Sequence, residues 1–395
     1  MQPRLLLLDE PTGQLDPIAA ADFIATLQKL NRELGLTIVL AEHRLEEVFP
    51  IADQVIAMDR GRILTAAPPR PAAAALKGHP LSLGLPSACR IWNGLEAPEP
   101  CPLTVKEGRS FLEAGYSHRK GALVRPTARE VGAPVLEAEH IWFRYERQSP
   151  DVLRDLSLSV GKGEIFSVLG GNGTGKTTTL GVLAGLDRPY RGKVLVSGRR
   201  ISDYKGSALY RRKLALLPQN PKTVFLKPTV REDLEEMLRA MEIPKSDWPG
   251  RIDGLTAQFG IGDFLSRHPY DLSGGEQQKC ALCKLLLTEP EVLLLDEPTK
   301  GLDAFFKNQF AEMLMELRAR GKTVLLVTHD VEFAAEVSDR CALFFDGQII
   351  AQGEPNQFFS ANNFYTTAAS RISRTLFPNA VVCRDVVELC GRKSV

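Results

Sequence analysis

The tetrapeptide Asp-Glu-Pro-Thr occurs twice in this chain, at residues 9–12 and at 296–299. Each copy is followed by Leu-Asp, a helical stretch, a β-branched segment and a histidine. Matching residues of the two copies lie 287 or 286 positions apart: Glu10 and Glu297, Asp16 and Asp303, His43 and His329. This period is far longer than that of a solenoid unit. The chain therefore contains an internal repeat of a whole domain.

Length and composition indicate a protein with more than one globular domain. The 395 residues allow two or three domains, and 44% hydrophobic and 25% charged residues are ordinary for such domains. A net charge of +1 provides no global attraction to nucleic acid or to an anionic membrane. The apolar runs Leu5–Leu8 and Val292–Leu295 are much shorter than the roughly 20 residues that a membrane span needs. We expect that the protein does not cross a membrane by itself.

The seven cysteines are scattered, and we expect no signal peptide ahead of them. This usage is typical of a reduced, cytosolic protein. Cys280 and Cys283 form the one close pair, in a helical pattern that has no second pair. Buried thiols are the favoured interpretation, and a metal site is the alternative.

Hydrophobic patterning indicates alternating strands and helices. In the first copy, Leu5–Leu8, Thr37–Ala41 and Val55–Met58 have the composition of strands, and 17–34 has helical periodicity. The same alternation continues from about residue 135 to 353. Alternating elements of this kind predict a parallel, doubly wound α/β sheet.

Composition divides the chain into four parts. We expect a fragment of the first copy at 1–68, a Pro/Ala-rich linker at 69–133, a complete domain at 134–355 and an extension at 356–395. Frequent prolines in the second part break long elements and predict a linker with one or two short helices. The tail is expected to fold against the complete domain.

A glycine-rich loop follows a predicted strand and precedes a predicted helix. Residues 170–177 fit G-x-x-x-x-G-K-[ST], a phosphate-binding loop in this context. Its glycines let backbone N–H groups surround phosphate oxygens, while Lys176 would reach the β- and γ-phosphates and the Thr177 hydroxyl would bind Mg²⁺. The predicted ATP-binding residues here are Gly170, Gly171, Asn172, Gly173, Thr174, Gly175, Lys176, Thr177 and Thr178.

Two carboxylates follow the apolar run Val292–Leu295. In open α/β sheets, ligands bind at the carboxyl ends of the strands. Asp296 is therefore predicted to hold Mg²⁺, and Glu297 is predicted to act as general base on the attacking water. Such a pair alone is more often a solvated turn, but its position after the phosphate loop favours the functional interpretation.

The sequence Leu-Ser-Gly-Gly-Glu at 272–276 opens a predicted helix. Adjacent glycines there are unfavourable for the helix and make sense where the backbone approaches an anion. The chain thus resembles the ATP-binding-cassette (ABC) ATPases, whose signature is Leu-Ser-Gly-Gly-Gln. It differs by Glu276 in place of the usual Gln and by Lys279 where many members have Arg. The resemblance implies a P-loop NTPase fold, with one complete domain and a C-terminal fragment of another.

The resemblance assigns further residues to ATP binding and hydrolysis. Tyr145 resembles the aromatic residue that stacks on adenine, with a core tyrosine as the alternative. Gln219 resembles the glutamine that contacts Mg²⁺ and water and senses the membrane partner. His329 resembles the histidine that contacts the γ-phosphate, with a structural histidine as the alternative. Residues of the signature and of the next acidic loop would serve ATP on the opposite subunit: Ser273, Gly274, Gly275, Glu276 and Asp303.

ABC ATPases pair head to tail, so each ATP lies between one phosphate loop and the other signature. The repeat spacing places the first copy's loop and signature before Met1, although Asp9, Glu10, Asp16 and His43 remain. We therefore expect that neither composite site is completed within one chain, and that apolar sheet faces of 1–68 are uncovered. The explanations are a truncated gene or gene model, a separately encoded piece, or a homodimer that supplies both motifs in trans.

Two stretches, 41–49 and 377–381, are similar to tandem ATPases of energy-coupling-factor vitamin importers, including members for hydroxymethylpyrimidine or thiamine. This resemblance implies transmembrane coupling and substrate-binding subunits, a second ABC ATPase domain, and a place on the cytoplasmic face of the membrane. It implies no nucleic acid partner. The alternatives are a soluble ABC factor acting on ribosomes or nucleic acid, and an inactive truncated product.

Overall fold

A computed structural model describes residues 3–13, 15–98, 100–119, 121–123, 132–362 and 365–391. The predicted linker residues 124–131 and tail residues 392–395 lie outside the described residues. The strands are β1 (Leu5–Asp9), β2 (Thr37–Ala41), β3 (Val55–Asp59), β4 (Arg62–Ala67), β5 (Pro134–Phe143), β6 (Leu153–Gly161), β7 (Ile165–Leu169), β8 (Arg191–Val196), β9 (Arg199–Arg200), β10 (Leu214–Leu217), β11 (Val292–Asp296), β12 (Thr323–Thr328), β13 (Arg340–Phe345) and β14 (Gln348–Gly353). The α-helices are α1 (Pro17–Leu34), α2 (Leu45–Val48), α3 (Pro69–Ala75), α4 (Ser87–Gly94), α5 (Val105–Tyr116), α6 (Lys176–Leu183), α7 (Val230–Ala240), α8 (Trp248–Phe259), α9 (Gly274–Leu286), α10 (Ala304–Ala319), α11 (Val331–Val337), α12 (Pro355–Ala361), α13 (Ala368–Ser373) and α14 (Cys383–Gly391).

The central sheet of the second copy has the strand order β10-β11-β12-β7-β13-β14. Its strands are parallel except β14, which is antiparallel at one edge. Every residue of β7, β11 and β12 is buried. Because both faces of this sheet are covered, its strands are continuous apolar runs rather than alternating ones. The predicted α/β class is confirmed.

Two different layers cover the central sheet. On one face, alternate residues such as Leu293 and Leu326 pack against helices α7–α10. On the other face, Leu294 and Leu325 pack against α6 and a second, antiparallel sheet with the order β6-β5-β8-β9. The carboxyl ends of β7, β11 and β12 therefore meet at one edge, between a helical layer and a β layer.

The helical layer buries the two closely spaced cysteines and one ion pair. Cys280 and Cys283 lie inside α9, where burial raises the pKa of each thiol to about 12. Lys284 Nζ donates to Asp233 Oδ1 at 2.7 Å and to the carbonyl of Val224, and both charged groups are buried. This pair joins α9 to α7 and to the segment that follows β10.

The first copy forms a smaller structure. Strands β1 and β2 pair in parallel and β3 and β4 form an antiparallel hairpin, but β2 and β3 are unpaired with each other in the part of the chain that the structure describes. Leu7 is 67% exposed and Val39 is 53% exposed, whereas their repeat counterparts Leu294 and Leu325 are completely buried. In the second copy, β7 lies between β12 and β13 and the β layer covers this face. The first copy thus has exposed apolar sheet residues, as expected.

The described residues of the Pro/Ala-rich segment form three α-helices, more than the one or two that its composition predicts. Two of its prolines lie at helix starts, Pro69 in α3 and Pro86 before α4, where a missing N–H costs little. Helix α5 packs against α13, and α4 packs against α14. Their shared core includes Ile91, Leu112 and Phe377. We call α4, α5, α13 and α14 the four-helix unit; it joins the predicted linker to the tail.

Candidate nucleotide-binding site

The glycine-rich loop connects β7 to α6 and is shaped by residues without side chains. Gly175 has φ +109°, a conformation that residues with a Cβ rarely adopt. A Cβ on Gly170 would lie 2.6 Å from the carbonyl oxygen of Phe344. The loop therefore requires glycine at both positions, and it ends at the N-terminus of α6, where free N–H groups favour an anion.

Lys176 is the first residue of α6 and its ammonium group lies over the loop. Its Nζ donates to the carbonyls of Gly170 at 2.9 Å and Gly171 at 2.8 Å, and lies 4.0 Å from Glu297 Oε1. Burial lowers the pKa of Lys176, while Glu297 and Asp296 oppose this shift. The loop and the acidic end of β11 thus face each other across the positive charge of Lys176.

Asp296 ends β11 with a buried carboxylate. Burial raises its pKa to about 6, opposed first by a hydrogen bond from the Thr177 hydroxyl. Its Oδ1 is buried and has no hydrogen-bond partner among the described residues. A carboxylate oxygen without a partner beside a hydroxyl is the all-oxygen donor set that Mg²⁺ prefers. These residues fit the predicted metal ion.

Glu297 and His329 form a close pair. Glu297 Oε2 lies 2.8 Å from His329 Nδ1 and accepts a hydrogen bond from the His329 backbone N–H at 3.2 Å. Glu297 has φ +47°, and its own N–H donates to Val327 O. Left-handed backbone at a residue other than glycine is strained and is concentrated at functional sites. The turn after β11 thereby aims the carboxylate at the end of β12.

Tyr145 is a surface aromatic rather than a core residue. It is 64% exposed, its hydroxyl lies 2.8 Å from Thr178 Oγ1 on α6, and its ring packs edge-on against Phe143. The alternative of a core tyrosine is therefore wrong. An exposed aromatic ring beside the first turn of α6 has the geometry for stacking on a base.

The signature residues begin α9 in the helical layer. Ser273 caps the helix: its Oγ accepts from the Glu276 N–H, and Glu276 Oε2 accepts from the Ser273 N–H at 2.8 Å. The acidic variant at 276 thus completes a capping box. A Cβ on Gly275 would lie 3.0 Å from the Phe306 ring, and an ideal Cβ on Gly274 would lie near the carbonyl of Gly301. The signature packs against the start of α10 and the loop before it.

The other two predicted residues lie at loop positions. Gln219 is exposed, two residues after β10. Asp303 caps α10 by accepting from the Phe306 N–H at 2.8 Å. The exposure of Gln219 and the capping contact of Asp303 do not by themselves assign a role to either residue. The structure brings Lys176 and Thr177 together with Asp296, Glu297 and His329, whereas the signature begins α9 and Asp303 caps α10.

One residue of the first copy, Asp16, contacts the phosphate loop, and the sequence prediction did not include this residue in the site. Asp16 Oδ2 accepts from the Asn172 N–H at 3.4 Å, while its Oδ1 caps α1 through Ala19 at 2.9 Å. A Cβ on Gly171 would lie 3.8 Å from Asp16 Oδ2 and 3.7 Å from the Tyr365 hydroxyl. The spacing of 287 from Asp303 was the available signal for Asp16, whereas no motif indicates Tyr365.

A cleft of about 550 Å³ separates the first copy from the second. Both repeat histidines line it, together with Asp16 and Lys300. In the first copy, His43 Nε2 lies 2.8 Å from Glu10 Oε1, and Glu10 has φ +44°, close to that of Glu297. The repeat is thus present in backbone geometry as well as in sequence.

A parallel α/β sheet, a glycine-rich loop before a helix and a carboxylate pair on the adjacent strand define a P-loop nucleotide-binding protein. The sequence profile described as ABC transporter matches residues 153–300. A Bacillus thuringiensis protein, assigned by name to ABC transporter ATP-binding proteins, is 42% identical over 396 residues, covering 99% of this chain and 70% of the relative. The chain belongs to the ABC transporter ATP-binding proteins.

Other similarities agree with this assignment. A Bacillus subtilis protein named for HMP/thiamine import is 32% identical over 368 residues, covering 91% of this chain and 64% of that protein. The structure of cbiO1 from Clostridium perfringens, described as part of the ABC transporter complex cbiONQ, matches with a TM-score of 0.54 and 27% identity. The match covers 57% of this chain and 91% of the cbiO1 chain. The predicted ABC ATPase fold is confirmed, and proteins with this fold bind ATP.

None of the helices described by the structure combines the length and apolar character needed to cross a membrane.

Proposed function

We propose that this chain binds and hydrolyses ATP to drive a membrane importer of a vitamin or vitamin precursor. The observation that carries the proposal is the grouping of Lys176, Thr177, Asp296, Glu297 and His329 at the carboxyl edge of the central sheet. The substrate class, hydroxymethylpyrimidine or thiamine, rests on the printed name of the Bacillus subtilis relative.

The phosphate loop would hold the triphosphate. Backbone N–H groups of residues 170–178 and the positive end of α6 favour the phosphate oxygens. Lys176 already lies over the loop, so its ammonium group would neutralise the β- and γ-phosphates. The exposed ring of Tyr145 would stack on adenine, and its hydroxyl contact to Thr178 sets its distance from the loop.

Mg²⁺ would be held by the Thr177 hydroxyl and the Asp296 carboxylate, with Gln219 as the further contact that the resemblance implies. When bound, the ion neutralises and orients the phosphate oxygens. Asp296 suits this role because its buried Oδ1 has no hydrogen-bond partner among the described residues.

Glu297 would act as general base. A carboxylate that accepts a proton from water must be held towards the γ-phosphate. The His329 backbone N–H donates to Oε2 at 3.2 Å, and the His329 Nδ1 atom lies 2.8 Å from Oε2. His329 would in turn contact the γ-phosphate. Lys176, 4.0 Å from Oε1, keeps the opposite side of this carboxylate beside a positive charge.

The signature would serve a nucleotide held by another ABC domain. Ser273 and Gly274 are exposed, and they lie on the helical layer rather than at this chain's phosphate loop. Residues 273–276 and Asp303 would therefore act across an interface, with a second copy of the chain or a related ABC domain as partner.

The importer would also require transmembrane coupling and substrate-binding subunits, and the chain would lie on the cytoplasmic face of the membrane. The exposed Gln219 and the loop after β10 are accessible to such a partner. No nucleic acid partner is proposed, which agrees with the net charge of +1.

The test is affinity purification of the tagged chain from solubilised cells of its source, combined with uptake measurements in a deletion strain. We expect membrane subunits to co-purify and uptake of labelled hydroxymethylpyrimidine or thiamine to fall. Co-purification with ribosomes and unchanged uptake of both compounds would overturn the proposal.

A further inference from the structure

Each repeat histidine is followed three residues later by a glutamate. Glu46 follows His43 and lies in α2, and Glu332 follows His329 and lies in the first turn of α11. Only two residues separate each histidine from its glutamate, and the glutamate lies in the helix that begins directly after this short segment, so movement of the histidine backbone would be transmitted to the start of that helix. The two glutamates are equivalent positions of the repeat.

Both carboxylates hold the start of a helix in the four-helix unit. Glu46 Oε2 accepts from the Ser87 N–H at 2.8 Å and from its hydroxyl at 3.1 Å, at the first residue of α4. Glu332 Oε1 accepts from the Ala368 N–H at 2.7 Å, at the first residue of α13. Hydrogen bonds from a helix N-terminus to a carboxylate are charge-assisted and strong.

The helices held by the two glutamates belong to one packed body. Helix α13 packs on α5, and Arg109 Nη2 donates to the carbonyl of Arg371 at 2.8 Å. Helices α4 and α14 pack so closely that a Cβ on Gly94 would lie 2.7 Å from Val387. A shift of α13 would therefore displace α4 and α5 of the predicted linker as well as α14 of the tail.

The same carboxylates lie in a cluster of charges along the cleft. Arg90 and Arg371 line the cleft together with the two glutamates. Each arginine lies three residues after the first residue of its helix, α4 or α13. Burial raises the pKa of Glu46, and it raises that of Glu332 to about 7, with the Coulombic effect of Glu46 next. The cleft thus continues from the repeat histidines to the four-helix unit.

We propose that Glu332 is a positioning residue that couples the contact of His329 with the γ-phosphate to the arrangement of the four-helix unit. Glu46 provides the equivalent connection for the first copy. This inference rests on the proposed ATP-binding function. It does not place Glu332 at the reacting atoms: Glu332 acts through α11 on the position of His329.

The experiment uses the whole chain and Mg²⁺ with a non-hydrolysable ATP analogue. Hydrogen exchange is followed in peptides that contain 368–373, beside analogue affinity and steady-state hydrolysis. In the unchanged protein the analogue should protect these peptides. In Glu332→Ala this protection should be lost and kcat should fall about 5-fold or more, with KM and analogue affinity within about twofold.

Two variants separate positioning from simple structural damage. Glu332→Gln keeps an oxygen that accepts from the Ala368 N–H, so it should restore both the protection and kcat. Glu336→Ala removes an exposed carboxylate from the same helix and the same cleft, and it should behave as the unchanged protein.

The outcomes are distinguishable. An analogue that binds but protects residues 368–373 equally in the unchanged protein and in Glu332→Ala would overturn the inference alone. Binding to the unchanged protein without any protection there would also overturn it. An analogue that does not bind to the unchanged protein would overturn the proposed function, and the inference with it.

Discussion

Glu10 and Glu297 have the same local geometry but different surroundings. Both follow an aspartate at a strand end, both have a left-handed backbone, and both pair with a histidine. Glu297 is buried beside Lys176 and the phosphate loop, whereas Glu10 is exposed. An exposed pair of this kind contributes little energy. The role of each carboxylate therefore depends on its burial and on the groups that surround it.

Replacing Glu297 with Gln should slow ATP hydrolysis at least ~10²-fold while ATP binding is retained, because the amide cannot accept a proton from water. The matched Glu10→Gln variant should change turnover by less than about twofold, since exposed pairs contribute little. Phosphate release and binding of a fluorescent ATP analogue measure the two effects. Unchanged turnover in Glu297→Gln would refute its role as base.

Gly170→Ala should destabilise the protein and abolish nucleotide binding, because its Cβ would lie 2.6 Å from the carbonyl of Phe344. Forcing an atom into such a space costs about 1–3 kcal/mol. Gly254→Ala is the control: this exposed glycine of α8 has open space around it, and Ala should stabilise the helix by about 0.5–1 kcal/mol. Urea unfolding compares the two; equal effects would contradict the steric argument.

At the scale of elements, the burial of a strand or helix depends on the layers that pack against it. Strand β1 has the same apolar character as β11, yet its burial alternates between exposed and intermediate residues. The helical layer shows the opposite case, because it fully buries the charged pair Lys284–Asp233 between α9 and α7. Asp233 also accepts from the N–H groups of Leu226 and Lys227, so the segment after Gln219 is tied to the signature helix.

Lys284→Met should destabilise the protein by about 3–5 kcal/mol, because it leaves the Asp233 carboxylate buried without its charged partner. The double variant Lys284→Met, Asp233→Leu should recover part of this loss, since no buried charge then remains unpaired. Urea unfolding of the four proteins of this cycle measures the coupling. Additive losses would show that the pair does not act as a unit.

At the scale of the whole molecule, the two copies meet at the phosphate loop, the cleft and the four-helix unit. Asp16 reaches the Asn172 N–H, Tyr365 lies near Gly171, and helices from the predicted linker and the tail share one core. These contacts join parts of the chain that are distant in sequence. The first copy is therefore in direct contact with the phosphate loop of the second.

The free energy of unfolding should depend on pH through Glu332. Its pKa is raised from 4.5 to about 7, first by burial and then by Glu46, with Asp330 adding to this shift and Arg90 and the Ala368 N–H opposing it. The folded protein therefore binds the proton more tightly, so this contribution is complete below pH 4.5 and is lost as the pH rises through about 7.

Glu332→Gln removes this titration. As the pH rises from 5 to 8, the free energy of unfolding of this variant should increase relative to that of the unchanged protein. Thermal unfolding at several pH values measures the difference, and Glu336→Ala is the control. A difference that stays constant over this range would contradict the raised pKa.

Several site residues could be predicted because their spacing encodes local geometry. Residues 170–177 follow β7 as a glycine-rich loop that leads into α6, and Glu297 directly follows the apolar run of β11. The grouping of Lys176, Glu297 and His329 is therefore readable from sequence order. The cap that Glu332 places on Ala368 was not readable, because neither residue belongs to a motif and the contact depends on how distant elements pack.

The linker shows why composition was a weaker guide. Proline-rich sequence disfavours long elements, and α5, with 12 residues, is the longest helix among the described residues of this segment. Composition did not indicate that α4 and α5 would bury Ile91 and Leu112, because that core is completed by Phe377 and its neighbours in the tail. Short helices gain most of their stability from tertiary packing.

By itself, the sequence determined the α/β class, the phosphate loop, the family resemblance and the duplication, because these depend on local periodicity and on motif spacing. The tertiary structure alone decided that Asp16 lies at the loop of the other copy, that Leu7 is exposed while Leu294 is buried, and that the linker and tail form one unit. These outcomes depend on which surfaces meet. Burial is a property of the packed layers rather than of the residues within them.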